Sequence, residues 1–184
     1  MICIIDFGSS KTRKIESGLN ILGYKAQIVD WDKISAVDWK KFRGIVLSGS
    51  PALFTEANGK LYIERCKFLI EIQIPVLGIC FGHQLLGILN GAEVYKADAV
   101  RTETEISILE KNKLFEGFEK KVLMTEDHTE GITLPPGFIH LASSDKYEVE
   151  AMKHPDLNIF GVQFHPEVSG ENGLKLLNNF CKLI

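Results

Sequence analysis

Residues 74–89 read Ile74-Pro75-Val76-Leu77-Gly78-Ile79-Cys80-Phe81-Gly82-His83-Gln84-Leu85-Leu86-Gly87-Ile88-Leu89, an apolar run joined to a helix-like segment through a cysteine. The apolar run, residues 74–79, predicts a short buried strand, and residues 83–89 predict the helix that follows it. Cys80 therefore lies on the turn between strand and helix. The pentapeptide around it has the G-x-C-x-G pattern of a nucleophile elbow, with cysteine in the place of serine.

Two interpretations of Cys80 are open on the pentapeptide alone. Gly78 and Gly82 let the backbone turn sharply, and a thiol at a helix N-terminus feels a positive dipole that favours the thiolate. In that interpretation Cys80 is a nucleophile. In the other it is a core cysteine packed in a tight strand-to-helix turn, because a motif of five residues is short.

The composition is that of an ordinary globular chain. It has 184 residues, of which 45% are hydrophobic and 24% charged, so there is enough apolar material for a sizeable core. We expect one domain that spans residues 1–184. The net charge of −3 disfavours nucleic acid and anionic membranes as partners. The apolar start is too short for a signal peptide or a membrane span, so the sequence predicts a cytoplasmic protein.

The other cysteines have no reactive context. Cys3 lies in a strand-like run, and Cys66 and Cys181 lie in helix-like ones. The sequence contains no C-x-x-C pair and no zinc-protease motif, so it predicts neither a disulfide framework nor a metal site. We expect these three thiols to be small buried apolar residues in a reduced protein.

Strands and helices alternate through the first half of the chain. The predicted strands cover residues 1–5, 25–29, 44–47 and 74–79, and the predicted helices cover residues 11–22, 61–72 and 83–89. The second half is dominated by strand-like runs at residues 104–108, 121–125, 138–141, 148–152 and 158–164, before a closing helix at 172–183. This order predicts a single-domain, three-layer α/β sandwich with a central, mainly parallel sheet and antiparallel additions in the C-terminal half.

A cysteine nucleophile needs a histidine to hold its proton and a third group to orient the imidazole. Of the histidines, His165 stands out because Gly161-Val162-Gln163-Phe164-His165-Pro166-Glu167 ends a predicted strand with a histidine and, two residues later, a carboxylate. Pro166 biases His165 towards extended geometry, so both side chains can project to the same side of a turn. Taken alone, the pair also fits an exposed histidine beside a surface acid. A histidine that titrates near neutrality predicts activity that falls on acidification.

An oxyanion formed at Cys80 needs hydrogen-bond donors, which backbone N–H groups usually supply. Phe81, at the start of the predicted helix, offers one such group. A second is available from Leu47-Ser48-Gly49-Ser50-Pro51, a turn-rich loop directly after a predicted strand. The same loop also fits an ordinary turn between strand and helix, and it lacks the lysine of a phosphate-binding loop.

These three motifs, in this order, resemble the class I (triad) glutamine amidotransferases over essentially the whole chain. The resemblance implies a flavodoxin-like sheet flanked by helices, and a cysteine that attacks the side-chain amide of glutamine to give a glutamyl thioester and ammonia. It implies the following roles: Cys80 as nucleophile, His165 as general base and acid, Glu167 as orienting carboxylate, Gly49 and Gln84 as glutamine-binding residues, and the Ser50 and Phe81 amides as oxyanion hole.

Within this class, Glu150-Ala151-Met152-Lys153-His154 is most similar to the amidotransferase part of GMP synthases. Asp6-Phe7-Gly8-Ser9 and Leu134-Pro135-Pro136-Gly137-Phe138 point the same way. The resemblance implies ammonia delivery for the amination of XMP to GMP. The S-G-G-x-D-S loop of the synthetase half does not occur in this sequence, so a separate ATP-pyrophosphatase synthetase subunit is expected to carry ATP and Mg²⁺, and no cofactor is expected in this chain.

Two segments depart from the family pattern. Ser50 occupies a position that is usually glycine, and its Cβ is expected to restrict φ and crowd the substrate. Residues 125–131 replace a Ser-His-Gly-Asp-like segment and predict a loop in which His128 is shifted. These departures keep two alternatives open: a stand-alone amidotransferase paralogue or γ-glutamyl hydrolase, and a catalytically silent regulatory subunit.

Overall fold

The computed structural model of the protein describes residues 1–56 and 59–184, which form strands, α-helices and short 3₁₀ helices. The strands are β1 (Ile2–Asp6), β2 (Ala26–Asp30), β3 (Gly44–Leu47), β4 (Val76–Ile79), β5 (Val94–Val100), β6 (Glu103–Ile108), β7 (Lys121–Thr125), β8 (His128–Ile132), β9 (Ile139–Ser143), β10 (Ala151–Lys153) and β11 (Ile159–Val162). The α-helices are α1 (Thr12–Ile21), α2 (Gly59–Cys66), α3 (Phe81–Leu89) and α4 (Gly170–Cys181). The 3₁₀ helices cover Trp31–Ala36, Trp39–Lys41, Lys67–Ile70 and Pro166–Val168.

Nine strands form the central sheet, in the order β2-β1-β3-β4-β11-β10-β9-β6-β7. From β2 to β11 the neighbouring strands are parallel, and from β11 to β7 they are antiparallel. Parallel strands need crossover helices, which the first half of the chain supplies, whereas the short links in the second half return each strand beside its predecessor. The α/β class, the mainly parallel sheet and the antiparallel additions are therefore confirmed.

Two hydrophobic cores lie on opposite faces of this sheet. In β1, Ile2 and Ile4 face one core, which α1 and α4 cover, while Cys3 and Ile5 face the other, which α2 and α3 cover. This alternation is the period of two that a strand imposes on its side chains. Each fully buried isoleucine contributes about 1.5–3 kcal/mol to folding, so strands buried on both faces anchor the molecule. The three-layer prediction is confirmed.

The two-stranded sheet of β5 and β8 differs from the sequence prediction. The sequence pattern predicts no strand at residues 94–100, and it predicts a loop at residues 125–131 around His128, which instead begins β8. In β5, four consecutive residues from Lys96 are exposed, so the strand lacks the alternation that reveals a half-buried strand. The predicted helix at 61–72 is also divided, because α2 ends at Cys66 and a 3₁₀ helix follows.

The cysteines outside the elbow are buried thiols without disulfide bonds. Burial raises the pKa of Cys3, Cys66 and Cys181 to about 12 in each case. These thiols stay protonated and act as small apolar residues, as the sequence predicts. Within the described ranges, every helix is too short or too polar to cross a bilayer.

Candidate active site

Cys80 has a strained backbone at the junction of β4 and α3. Its φ of 50° and ψ of −103° make it the single non-glycine residue with a positive φ in the described part of the chain. Such a conformation costs on the order of 1–3 kcal/mol and persists only where its surroundings hold it. Here the Cys80 N–H donates to the Val162 carbonyl at 2.8 Å, and the Cys80 carbonyl accepts from the Gln84 N–H at 3.0 Å. The turn therefore has the geometry of a nucleophile elbow.

Gly78 and Gly82 are required by close packing across this elbow. A Cβ at Gly78 would lie 2.5 Å from the Gly82 carbonyl oxygen, and a Cβ at Gly82 would lie 2.5 Å from the Cβ of Leu47. Real Cβ atoms do not approach other atoms so closely. The two glycines therefore bring β4, α3 and the end of β3 together around Cys80, as the pentapeptide predicts.

His165 and Glu167 form a buried pair just after β11. His165 Nδ1 donates to Glu167 Oε1 at 2.7 Å, and the two side chains are 3% and 0% exposed. The interpretation of this pair as surface residues is therefore wrong. Because Nδ1 carries the proton that Glu167 accepts, Nε2 is the nitrogen left for a reacting group. Nε2 is buried and has no hydrogen-bond partner in the parts of the chain that the structure describes.

The charge state of His165 differs from the sequence expectation. Burial disfavours the imidazolium, but the interactions with Cys80 and Glu167 outweigh burial and raise the pKa of His165 to about 10. His165 is therefore protonated at neutral pH, and the expectation that it titrates near neutrality is corrected. A buried imidazolium beside a thiol and a carboxylate favours the thiolate through opposite charge.

Cys80 and His165 open into one cleft of about 470 Å³. Its lining also includes three other residues predicted from the sequence, namely Ser50, Phe81 and Gln84. Gly49 lies beside the two reactive side chains, because a Cβ there would be 3.1 Å from His165 Cε1 and 3.8 Å from Cys80 Cβ. The structure thus brings the predicted residues of the distant motifs to the carboxyl ends of β3, β4 and β11, where α/β sheets bind ligands.

Ser50 fits its loop without the strain that its Cβ predicts. Its φ is not positive, so a side chain is tolerated at this position. Its hydroxyl donates to the Phe7 carbonyl at 2.8 Å and accepts from the Ala52 N–H at 3.1 Å. The expected restriction of φ is therefore corrected, because this loop adopts a conformation open to any residue. The Ser50 N–H has no acceptor among the residues described, and Phe81 is the first residue of α3, whose N–H has no acceptor within the helix.

Gln84 is a nearly buried residue of the cleft wall. It is 3% exposed, and its Nε2 donates to the Glu130 carbonyl at 2.8 Å and to Gln163 Oε1 at 3.1 Å. These bonds fix the orientation of the amide and direct its nitrogen into the protein. The amide oxygen is then the atom of Gln84 that is left for a ligand.

Charged residues at the mouth of the cleft were missed by sequence reasoning. Lys11 Nζ binds Asp127 Oδ2 at 2.7 Å, and Arg101 Nε lies 3.6 Å from Asp127 Oδ1. The hydrogen bond from Lys11 is the main cause that lowers the pKa of Asp127 below its usual value. The Asp127 carbonyl oxygen lies 4.0 Å from Cys80 Sγ. One signal was available, since Lys11 follows the loop at the carboxyl end of β1.

Further ionisable side chains are buried behind this cleft. Glu130 is 1% exposed, and its carboxylate accepts from the Phe54 N–H at 2.8 Å and the Thr55 N–H at 3.0 Å. Glu130 thereby ties the loop after β3 to β8. Burial and the charge of Glu126 raise the pKa of Glu150 to about 8, against a hydrogen bond from Ser144.

His83 and His128 have positions that differ from each other. His83 is fully buried, and burial lowers its pKa to about 3, so it is a neutral core residue that fits the structural role predicted for it. His128 is 7% exposed at the start of β8, where its ring packs edge-on against Tyr147 at 4.4 Å between centroids. The predicted loop position of His128 is therefore wrong.

The chain matches known proteins over its whole length. The sequence profile of the family described as glutamine amidotransferase class-I matches residues 3–184. With this fold, the match shows that the chain belongs to the class-I glutamine amidotransferase family. It is 40% identical over 190 residues to a protein of Pyrococcus furiosus that is named as one subunit of glutamine-hydrolysing GMP synthase, an alignment that covers 100% of this chain and 98% of the relative.

Other relatives give the same result. Over 192 residues the chain is 36% identical to the GMP synthase subunit of the same name from Methanocaldococcus jannaschii, with 100% of this chain and 97% of the relative covered. A solved structure of the corresponding GMP synthase subunit from Thermoplasma acidophilum aligns with a TM-score of 0.91 at 28% identity, covering 99% of this chain and 92% of that chain. The predicted resemblance within the class is therefore confirmed.

Proposed function

We propose that this chain hydrolyses the side-chain amide of glutamine at Cys80 and delivers the ammonia to a GMP-synthase-type partner. One observation carries the proposal: His165 gives Nδ1 to Glu167 and leaves Nε2 free in the cleft that the strained Cys80 lines. This is the arrangement that a thiol nucleophile, its base and an orienting carboxylate require. The class-I family match over residues 3–184 supports it, and also supports a single amidotransferase domain over residues 1–184.

The reaction runs in two steps. Cys80 Sγ attacks the amide carbon of glutamine, and His165, which holds the thiol proton, passes that proton to the nitrogen as the carbon–nitrogen bond breaks and ammonia leaves. Water then attacks the glutamyl thioester while His165 Nε2 accepts its proton, and glutamate departs as the carbon–sulfur bond breaks. Both steps place negative charge on the former amide oxygen, which the N–H groups of Ser50 and Phe81 stabilise.

Glutamine recognition uses both charges at the mouth of the cleft. Lys11 and Arg101 lie around Asp127, so the cleft holds cations suited to an α-carboxylate and an anion suited to an α-ammonium group. The Gln84 amide oxygen is a further acceptor for the ammonium. Gly49 leaves room for the amide group beside Cys80 and His165, where any side chain would collide.

The ammonia acceptor is assigned from the relatives. Proteins named as GMP synthase subunits match this chain over its full length, which supports amination of XMP to GMP by a partner protein. That partner would bind ATP and Mg²⁺ and activate XMP, since no residue role in this chain requires either. We expect the two subunits to act as a complex, because free ammonia is mostly protonated at neutral pH and is then not nucleophilic.

The experiment measures glutamate release and GMP formation by the purified chain, alone and with the synthetase subunit of a GMP synthase. We expect glutamate release with the partner, coupled GMP formation, and loss of both in Cys80→Ala. Cys181→Ala is the matched control, because this buried thiol lies outside the cleft. Glutamate release without GMP formation would support a stand-alone amidotransferase, and no release under either condition would support a silent subunit.

A further inference from the structure

A second group of ionisable side chains lies away from the reacting atoms. Glu126 follows β7, His128 begins β8, and Glu150 precedes β10. Their exposures are 1%, 7% and 0%. One ligand atom from each of the three lies within 4.8 Å of the others. Two carboxylates and one imidazole thus share a site that is closed to bulk water.

This group has unsatisfied polar atoms. Glu126 Oε1 and Glu150 Oε2 are buried and have no hydrogen-bond partner within residues 1–56 and 59–184. A buried carboxylate without a partner costs several kcal/mol, because it loses its hydration without compensation. The two free oxygens belong to different side chains that meet at the same place, so a single positive centre compensates both.

The orientation of His128 points to a cation on its other nitrogen. His128 Nδ1 lies 3.2 Å from the Glu130 carbonyl oxygen, which only accepts, so Nδ1 carries a proton. In the neutral ring Nε2 then presents a lone pair, and it faces Glu126 Oε2. A lone pair and a carboxylate oxygen repel unless a proton or a metal ion lies at their junction.

The outer contacts of the group are those of metal ligands. A metal-bound histidine usually donates its second ring N–H to a backbone carbonyl or a carboxylate, which fixes the ring, as Glu130 does for His128. Glu150 Oε1 accepts from Ser144 Oγ at 2.7 Å, so this carboxylate is also held while Oε2 stays free. Both ligands are oriented by neighbours that do not belong to the group.

We propose that Glu126, His128 and Glu150 bind one divalent transition-metal ion of the zinc class. One imidazole and two carboxylates are a donor set of catalytic and structural zinc sites, and two carboxylates neutralise the charge of the ion. Mg²⁺ and Ca²⁺ are disfavoured, because they require about six or more oxygen ligands and avoid imidazole.

The ion would position one wall of the active-site cleft. Asp127 lies between the two ligands Glu126 and His128 along the chain. Its carbonyl oxygen lies 4.0 Å from Cys80 Sγ, and its carboxylate binds Lys11. Metal at the neighbouring positions would fix this segment against Cys80. This consequence rests on the proposed glutamine hydrolysis, whereas metal binding itself does not.

The test measures Zn²⁺ binding to the full chain carrying Cys80→Ala, which removes the thiol as a competing ligand. After dialysis against a chelator, Zn²⁺ is titrated by calorimetry and the melting temperature is recorded with and without it. We expect one bound Zn²⁺ per chain and a higher melting temperature, with no response to Mg²⁺. His128→Gln and Glu150→Gln should each weaken binding by at least about 100-fold, because each loses a direct ligand.

Controls keep the result decisive. Glu148→Gln removes an exposed carboxylate two residues from Glu150 and should bind Zn²⁺ like the parent. If a ligand variant does not fold, Ser144→Ala replaces it, with an expected loss of about 10-fold because only the outer contact is removed. Absence of Zn²⁺ binding, or binding that no ligand variant weakens, overturns the proposal. Because the Cys80→Ala background has no glutaminase activity to lose, the result is independent of the proposed function.

Discussion

Two histidine–glutamate pairs with the same spacing form different sites in this protein. In His165–Glu167, the carboxylate binds Nδ1, and Nε2 is free beside Cys80 in the cleft. In Glu126–His128, the carboxylate faces Nε2, while Nδ1 faces a backbone carbonyl. The first pair leaves a nitrogen for proton transfer, whereas the second directs it at a second buried carboxylate. The comparison teaches that the ring nitrogen that meets the carboxylate decides what a histidine can do.

The largest expected effect separates the two glutamates. Glu167→Gln should lower kcat for glutamate release by about 10³-fold or more, with little change in KM, because the amide no longer holds the tautomer or stabilises the imidazolium. Glu126→Gln should lower kcat by much less, since Glu126 does not contact His165 or Cys80. Steady-state kinetics of both folded variants measures the difference. Equal losses in the two variants would remove the distinction between the pairs.

Crowding at Gly49 should affect the first pair alone. A Cβ at this position lies 3.1 Å from His165 Cε1, so Gly49→Ala should displace the imidazole by a few tenths of an ångström. We expect kcat to fall by on the order of 10²-fold, the usual cost of misplacing a reacting group. Zn²⁺ affinity of the same variant serves as the control and should not change. Full activity in Gly49→Ala would show that the His165 position is not critical.

The titration of His165 tests the origin of its charge. Its pKa, raised to about 10 by Cys80 and Glu167 against burial, should fall when either partner is replaced, in Cys80→Ala or Glu167→Gln. Long-range ¹H–¹⁵N NMR of the histidine rings across pH 5–11 would measure it. An unchanged His165 pKa in both variants contradicts the account of its neighbours.

The same shift predicts how stability depends on pH. The folded-state pKa of His165 lies above its ordinary value of 6.5, so the folded protein binds the proton more tightly than the unfolded chain. This contribution is complete below about pH 6.5 and is lost as the pH rises through about 10. The difference in unfolding free energy between the wild type and Cys80→Ala, measured in urea, should change across this range. A constant difference from pH 6 to pH 10 would contradict it.

The smallest expected effect concerns the mouth of the cleft. Lys11→Met should raise KM for glutamine by about 10-fold with kcat nearly unchanged, because a partly exposed cation that binds substrate contributes about 1–1.5 kcal/mol. Lys25→Met, at an exposed position outside the cleft, is the control. A fall in kcat at constant KM would instead assign Lys11 to the chemical step.

The sequence predicts elements well where local pattern and burial agree. The bounds of β3 and β7 are identical to the predicted residues 44–47 and 121–125. β5 escapes prediction, because most of its residues are exposed on a two-stranded sheet and no periodic apolar face marks it. The start of β8 is predicted as a loop for a related reason, since its partner strand carries no recognisable pattern.

The same contrast holds for the candidate sites. Cys80, His165 and Glu167 lie in short motifs whose chemistry is local to each motif. The Lys11–Asp127 ion pair joins residues 116 positions apart, and nothing in either segment names the other. The three residues of the proposed metal site come from three elements and lack any spacing motif. Long-range proximity of polar side chains requires the fold, whereas a nucleophile elbow does not.

The most direct test of the central claim is labelling by an electrophilic glutamine analogue, a diazoketone, followed by peptide mapping. We predict that the analogue modifies Cys80, that Cys3, Cys66 and Cys181 stay unmodified, and that excess glutamine slows the reaction. Loss of glutaminase activity should follow the extent of labelling. Modification spread over the other cysteines, or labelling of Cys80 that glutamine does not slow, would contradict the assignment of Cys80 as the nucleophile of a glutamine site.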